Sequence, residues 1–277
     1  MHYHHRGPEF HALLQELERV FIEKFGLQDY NIIFLTGSGT TANEAVIYSY
    51  YYAFEMQFLD AEFGLRLQRL SEAHRKRQQH PYKKCVAYPL YETSISRLNG
   101  QLYMDGQFTF LDMVSAFPYW LPPKGTAIWT TVSSKQLGAY PVLGIIGICK
   151  DLDMGDFLPP NRSVLNVREH LRFREKAETL TTPAIPLYQD LLDELRIFSR
   201  PAMIKKINAR GSAITKLAGD YIIGTGPVVT FRDVKWLDPI ANDFQLYRGA
   251  VGYQVFLWSG RDCDYETLCD AIGKAIR

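Results

Sequence analysis

The chain has 277 residues, 47% of them hydrophobic, and a formal net charge of +1. That length supports a large buried core with room for a smaller second domain, and the near-balance of charge argues against a surface built for nucleic acid or anionic membranes. The four cysteines, Cys85, Cys149, Cys263 and Cys269, show neither metal-ligand nor disulfide-framework spacing. No apolar run has transmembrane length or follows the amino terminus as a signal peptide requires, so a cytoplasmic protein is expected.

In chain order, the histidines of "MHYHH" (His2, His4 and His5) have no partner ligands and read as a frayed end or a docked segment, not a metal site. Residues 8–25 place Phe10, Leu13, Leu14, Leu17, Val20, Phe21 and Phe25 at helical spacing, with Pro8 at the start and Gly26 as the stop. "NIIFLTG" (31–37) predicts a strand, and the small residues that follow turn directly into a second helix within 37–56. A third helix is expected over about 60–79; its charged end "HRKRQQH" reads as a solvated last turn, with a nucleic-acid patch the lesser alternative.

Strands are expected at 83–94, 108–117, 125–134 and 140–149, joined by loops instead of full helices. A polar, proline-bearing connector follows at 151–163. The remainder predicts helices over 182–198 and 202–219, strands over 221–234 and 252–260, and a closing helix over 264–276. The expected organisation is α/β, with a large mostly parallel-sheet domain over 1–189 and a small α+β domain over 190–277.

Three stretches carry candidate chemistry. In "LTGSGTTANEA" (35–45), Gly37 and Gly39 permit a tight turn, and Ser38, Thr40 and Thr41 stand where a helix begins. Several N–H groups then face one point, which suits a phosphate; an ordinary helix cap is the alternative. Asp112 ends an apolar strand, on the edge where α/β sheets place ligands, or else serves as a turn-former. Lys135 lies between the hydroxyls of Ser133 and Ser134 and the buried strand "AYPVLGIIGIC". Either its ammonium reaches past the core to water, or it is a desolvated amine of lowered pKa suited to a Schiff base. Phosphate cradle, strand-end aspartate and strand-end lysine, in that order, match the needs of pyridoxal 5'-phosphate (PLP).

The chain resembles the class V aminotransferases of the aspartate aminotransferase-like fold (fold type I), especially alanine–glyoxylate and 2-aminoethylphosphonate transaminases. The resemblance rests on "HRGPEF" (5–10), "LTGSGTTANEA" (35–45), "EFGLR" (62–66), "YETSISRLN" (91–99), "DMVSAF" (112–117), "SSKQLGAYPVLG" (133–144) and "TTPAIPLY" (181–188). It implies a cofactor of PLP, Lys135 as the Schiff-base lysine and Asp112 as the partner of the pyridine nitrogen. It further implies a phosphate site of Ser38, Gly39, Thr40 and Ser134, Phe63 stacked on the ring, and Thr93 near the ring hydroxyl. Thr181 would reach the phosphate of a neighbouring subunit, in a homodimer with shared active sites. Phe63 as plain core, Thr93 as a strand residue and Thr181 as a helix cap entered through Pro183 stay open beside these roles.

Two departures from the family stand out. The strand before "EFG" is shortened into "FEMQFLDA" and a helix is replaced by "GQLYMDGQ"; and where the family carries a carboxylate-clamping arginine, the late strand has Gln254 and Val255. Arg6, Arg248 or Arg261 are substitutes to consider, Arg248 first. The resemblance thus implies an aminotransferase acting on a small amine or amino acid. The alternatives are a decarboxylase or lyase on the same scaffold, acting on an amine carried by a larger molecule such as a modified nucleotide, and a non-catalytic relative.

Overall fold

A computed structural model describes residue 4 and residues 6–51, 54–74, 83–100, 107–152 and 163–276. The elements are α1 (Pro8–Phe25), β1 (Tyr30–Thr36), α2 (Gly39–Tyr50), β2 (Phe54–Phe58), α3 (Glu62–His74), β3 (Lys83–Pro89), β4 (Tyr91–Glu92), β5 (Arg97–Leu98), β6 (Phe108–Asp112) and β7 (Ile128–Val132). They continue with β8 (Leu143–Cys149), α4 (Val167–Arg174), α5 (Ile185–Ile197), α6 (Arg200–Ala218), β9 (Ile222–Gly224), β10 (Val228–Phe231), α7 (Leu237–Asp243), β11 (Tyr247–Arg248), β12 (Tyr253–Phe256) and α8 (Asp262–Ile276). His2 and His5, most of "HRKRQQH", most of "GQLYMDGQ" and most of the 151–163 connector lie outside the described residues.

Two compact units result: residues 1–89 with 101–198, and residues 90–100 with 199–277. In the first, six strands form one sheet in the order β1-β8-β7-β6-β3-β2. β2, β3, β6 and β7 pair parallel, whereas β8 runs antiparallel to both β7 and β1. β1 therefore points the same way as the parallel strands, and the carboxyl ends of β1, β6 and β7 share one edge.

Side-chain alternation loads both faces of this sheet. Ile33, Leu35, Phe110, Ile128, Ile146 and Ile148 pack with Ala42, Ala45, Val46, Ile47 and Tyr50 of α2. On the opposite face, α1 buries Phe10, Leu13, Leu14, Leu17, Phe21 and Phe25; Pro8 opens the helix and Gly26, at φ 65°, closes it. Each fully buried phenylalanine there contributes about 1.5–3 kcal/mol. The Trp129 ring of β7 stacks on Phe117 at 5.2 Å and 16°, and Phe21 stacks on Phe117 at 5.6 Å.

The second unit holds an antiparallel sheet in the order β11-β12-β10-β9, the β4–β5 hairpin, α6, α7 and α8. Its β10 is wholly buried. Arg210, itself 6% exposed, donates to the Leu257, Ser259 and Gly260 carbonyls and to Asp262. Its guanidinium lies 3.8 Å from the centre of the Tyr265 ring, so this buried charge is fully partnered.

Several expected boundaries move. The strand expected over 83–94 stops at Pro89, and its continuation pairs in the separate β4–β5 hairpin. The strand expected over 108–117 ends at Asp112, because Ala116 and Phe117 fold back to the Met113 carbonyl. The expected strand at 221–234 is two, β9 and β10, turning through Thr225–Gly226–Pro227. The short helices α4 and α7 lie outside the expected elements: one is rich in charge and the other carries Pro239, so neither shows a clear apolar stripe. The helix expected over 182–198 begins at Ile185 with Ala184 as its cap; Pro183 precedes it, and Thr181 does not cap it. "FEMQF" is retained as the five-residue β2.

Gly147 of β8 lies opposite Trp129 in register, and a Cβ there would stand 2.1 Å from the indole Cε2. Because Trp129 is held between this glycine and Phe117, Gly147→Ala should destabilise the protein by about 1–3 kcal/mol through overpacking. Denaturant unfolding checks this; a midpoint equal to that of the parent would show that the indole has room to move.

Candidate functional site

Three loops leave the shared carboxyl edge of the sheet. After β1 the chain passes through Gly37 and Ser38 into α2; after β6 it turns at Met113; after β7 it runs through Ser133 and Ser134 to Lys135. The start of β8 binds two of them, since Gly37 N–H donates to the Val142 carbonyl and Ser133 N–H to the Leu143 carbonyl, each at 2.9 Å. The antiparallel strand thereby spaces the first loop from the third.

Asp112 ends β6 with its carboxylate turned toward α2. Its Oδ2 accepts from Asn43 Nδ2 at 2.7 Å and its Oδ1 from the Val114 N–H at 2.9 Å. Burial pushes its pKa up from the ordinary carboxylate value, while Val114, Asn43, Lys135 and Arg66 pull it back down. Asn43 in turn accepts from the Thr130 hydroxyl.

Lys135 has φ 58°, an unusual backbone for a residue with a side chain, at the start of a single 3-10 turn closed by Gly138 at φ 80°. The neighbouring Gln136 holds this turn: its amide donates to the Ser115 carbonyl at 2.7 Å and accepts from the Tyr119 N–H at 2.9 Å. The β6 and β7 loops are thus tied together. Lys135 Nζ donates to Ser115 Oγ at 2.8 Å. Burial lowers its pKa from the ordinary lysine value; the Asp112 carboxylate raises it and Arg66 lowers it further. Lys135 is half-buried, with its amine bonded to the Ser115 hydroxyl.

At the α2 amino terminus, Ser38 and Thr41 form a capping box: the Thr41 N–H donates to Ser38 Oγ and the Ser38 N–H to Thr41 Oγ1. Gly39 and Thr40, the first two residues of the helix, have N–H groups with no acceptor within it. Gly39 is required by packing, because a Cβ there would stand 2.5 Å from Val114 Cγ2. Thr40 Oγ1 accepts from Arg66 Nη2 at 3.0 Å. Ser134 occupies the cap position before Lys135 without making a capping bond. Phe63 is half-buried in the first turn of α3, and Thr181 is exposed ahead of α5.

The other candidates belong to the second unit. Thr93 is buried between β4 and β5, and its carbonyl accepts from Gln254 Nε2 at 2.6 Å and from the Thr230 hydroxyl at 3.3 Å. Gln254, 3% exposed on β12, is therefore engaged within its own unit. Arg248 is paired with Asp233 at 2.9 Å and donates to the Tyr253 hydroxyl at 2.9 Å. Asn43, Arg66, Ser115 and Gln136 were not singled out from the sequence. All four lie inside the motifs that carry the resemblance, and Asn43 is visible there as an amide on an otherwise apolar helix face.

Among the described residues no helix is long and apolar enough to cross a membrane, and no three His, Cys, Asp or Glu side chains gather as a metal site. No protein-family model matches the chain, and no curated protein matches it. Solved structures do. The subgroup IV aspartate aminotransferase of Thermus thermophilus superposes with a TM-score of 0.80 at 16% identity, covering 100% of this chain and 93% of that one. The alanine–glyoxylate aminotransferase of Nostoc sp. gives 0.81 at 16% identity, with 99% and 89% covered. The phosphoserine aminotransferase of Trichomonas vaginalis, with PLP bound, gives 0.78 at 12% identity, with 98% and 90% covered. The fold is accordingly the aspartate aminotransferase-like fold, fold type I, as the sequence motifs implied.

The charge coupling in this site has a measurable sign. Because burial lowers Lys135, its amine should become reactive at a lower pH than an ordinary lysine of pKa about 10.4. Asp112→Asn removes the charge that raises it, and the reactivity midpoint should fall further. Competitive trace acetylation read by mass spectrometry across pH checks both; an upward movement in the variant would contradict the coupling.

Proposed function

We propose that the protein is a PLP-dependent aminotransferase acting on a small amine or amino acid. The observation that carries this is the placement of Asp112 and Lys135 at adjacent strand ends, each shifting the other's titration, beside the open amino terminus of α2. The residues fit the cofactor in charge and space: a phosphate-sized anion suits the N–H groups of Gly39 and Thr40, and no side chain fits at Gly39 to block it.

PLP, when bound, supplies an aldehyde that condenses with an amine and a ring that withdraws electrons from the bond being broken. Ser38, Gly39, Thr40 and Ser134 would hold its phosphate, with the guanidinium of Arg66 beside Thr40 adding positive charge. Asp112 would keep the ring nitrogen protonated and Phe63 would cover a ring face. Lys135, its basicity lowered, would be the nucleophile toward that aldehyde, and its amine would be the acid and base that moves a proton at the substrate carbon, with Ser115 Oγ placed to hold it.

The active form is a homodimer with shared sites, in which Thr181 of one subunit completes the phosphate site of its partner; its exposure in the single chain supports this. A cytoplasmic setting accords with four unpaired cysteines. Within the second unit, Gln254 is bound to the Thr93 carbonyl and Arg248 to Asp233. Neither offers a free bidentate grip on an α-carboxylate, which favours substrates recognised mainly through their amine.

The test is a half-reaction screen of the PLP-loaded protein with alanine, serine, glutamate, aminoethylphosphonate and simple amines, with oxo product and carbon dioxide measured in parallel. Amino transfer to the cofactor with an oxo product is expected, alanine being slower than the simple amines. Carbon dioxide release without an oxo product would overturn the assignment. Asp112→Asn should retain the fold and lower kcat by about 100-fold or more, since a neutral amide cannot hold the ring nitrogen protonated. Near-normal turnover in that variant would remove Asp112 from the mechanism.

A further inference from the structure

We infer that Asn43 is a positioning residue for Asp112, and that Thr130, Asn43 and Asp112 form one hydrogen-bonded chain that fixes the direction of the carboxylate and keeps it ionised. Its relevance to the ring nitrogen of the cofactor rests on the function proposed above; the chain and its action on Asp112 do not.

The register of the sheet creates the arrangement. Asp112 and Thr130 are partners across the parallel β6–β7 pair, so their side chains leave the same face about 4.8 Å apart. That face is covered by α2, which presents Asn43 among Ala42, Val46 and Ile47. Asn43 is 5% exposed and Thr130 fully buried. An amide and a hydroxyl carried into an apolar layer are costly unless each is paired. Here the Thr130 hydroxyl donates to Asn43 Oδ1 and Asn43 Nδ2 donates to Asp112 Oδ2.

The direction of the chain follows from the carboxylate. An ionised Asp112 only accepts, so the Asn43 amide must face it with its NH₂, its carbonyl must face Thr130, and the Thr130 hydroxyl must donate. The opposite order of donors would need a proton on Asp112. The Val114 N–H on Oδ1 and the two cations that act on this carboxylate, Lys135 from the β7 loop and Arg66 from α3, all favour the ionised order. With one protein donor on each oxygen, the carboxylate keeps capacity for a further N–H. Replacing Asn43 by an apolar side chain leaves Asp112 as buried as before with a donor removed, so its proton affinity must rise.

The experiment uses the cofactor-free full chain with ¹³C in its aspartate carboxyl groups, the Asp112 signal being identified by its loss in Asp112→Asn. In Asn43→Leu the titration midpoint of Asp112 should rise by about one unit or more, and in Thr130→Val, which frees the amide without removing it, by a smaller amount in the same direction. If Asn43→Leu does not fold, Thr130→Val decides alone. Midpoints equal to the parent's in the folded variants overturn the inference. PLP is then added: kcat of Thr130→Val should fall about tenfold with little change in cofactor affinity, and its pH profile should move upward with the carboxyl. If the parent protein takes up no PLP, the proposed function fails while the carboxyl titration still judges the chain.

Discussion

A carboxylate partly withdrawn from water, Asp112, is the constraint around which the site of the first unit is organised. Asp112 is half-buried, and ionising it there is costly unless donors and cations replace the lost hydration. The structure supplies them from four directions: the Val114 N–H from its own turn, the Asn43 amide from α2, the Lys135 ammonium from the β7 loop, and the Arg66 guanidinium from α3. The three side chains among them are held in turn. Gln136 ties the lysine turn to the Ser115 loop, Thr130 orients Asn43, and Arg66 rests on Thr40. Secondary structure and site chemistry are thus one network, in which packing fixes the geometry and the geometry fixes protonation.

The apolar layers explain why this network is stiff. Strand alternation sends Phe110 and Asp112 of β6, and Ile128 and Thr130 of β7, to the α2 side, while Trp129 goes to the α1 side. The polar pair therefore sits at the end of a continuous apolar floor and cannot drift without moving Phe110 and Ile128. Glycines admit the close approaches this requires, at Gly39 against Val114 and at Gly147 against the indole.

Much of this was legible in the sequence wherever a periodic pattern or a fixed turn speaks locally. The α1 stripe between Pro8 and Gly26, the passage from β1 through Gly37 and Ser38 into α2, and the placement of Lys135 ahead of an interior strand all follow from spacing alone. What was hidden depends on residues distant in sequence. Nothing near Thr130 says that Asp112 is its partner, or that Asn43 lies over both. Likewise, Gln254 reads as a vacancy where an arginine is expected, and only the fold shows its amide turned to the Thr93 carbonyl. The hairpin at 90–100 continues a strand pattern and yet joins the second unit, because Tyr91 and Ser96 bond to Val228 and Thr230 of β10.

The account turns on a single amine. Loading the protein with PLP, reducing it with borohydride and mapping the modified peptide reads that amine directly. The account predicts one pyridoxyl group per chain, carried by Lys135, with none taken up by Lys135→Ala. Modification spread over other lysines, or a protein that takes up no PLP at all, would contradict it.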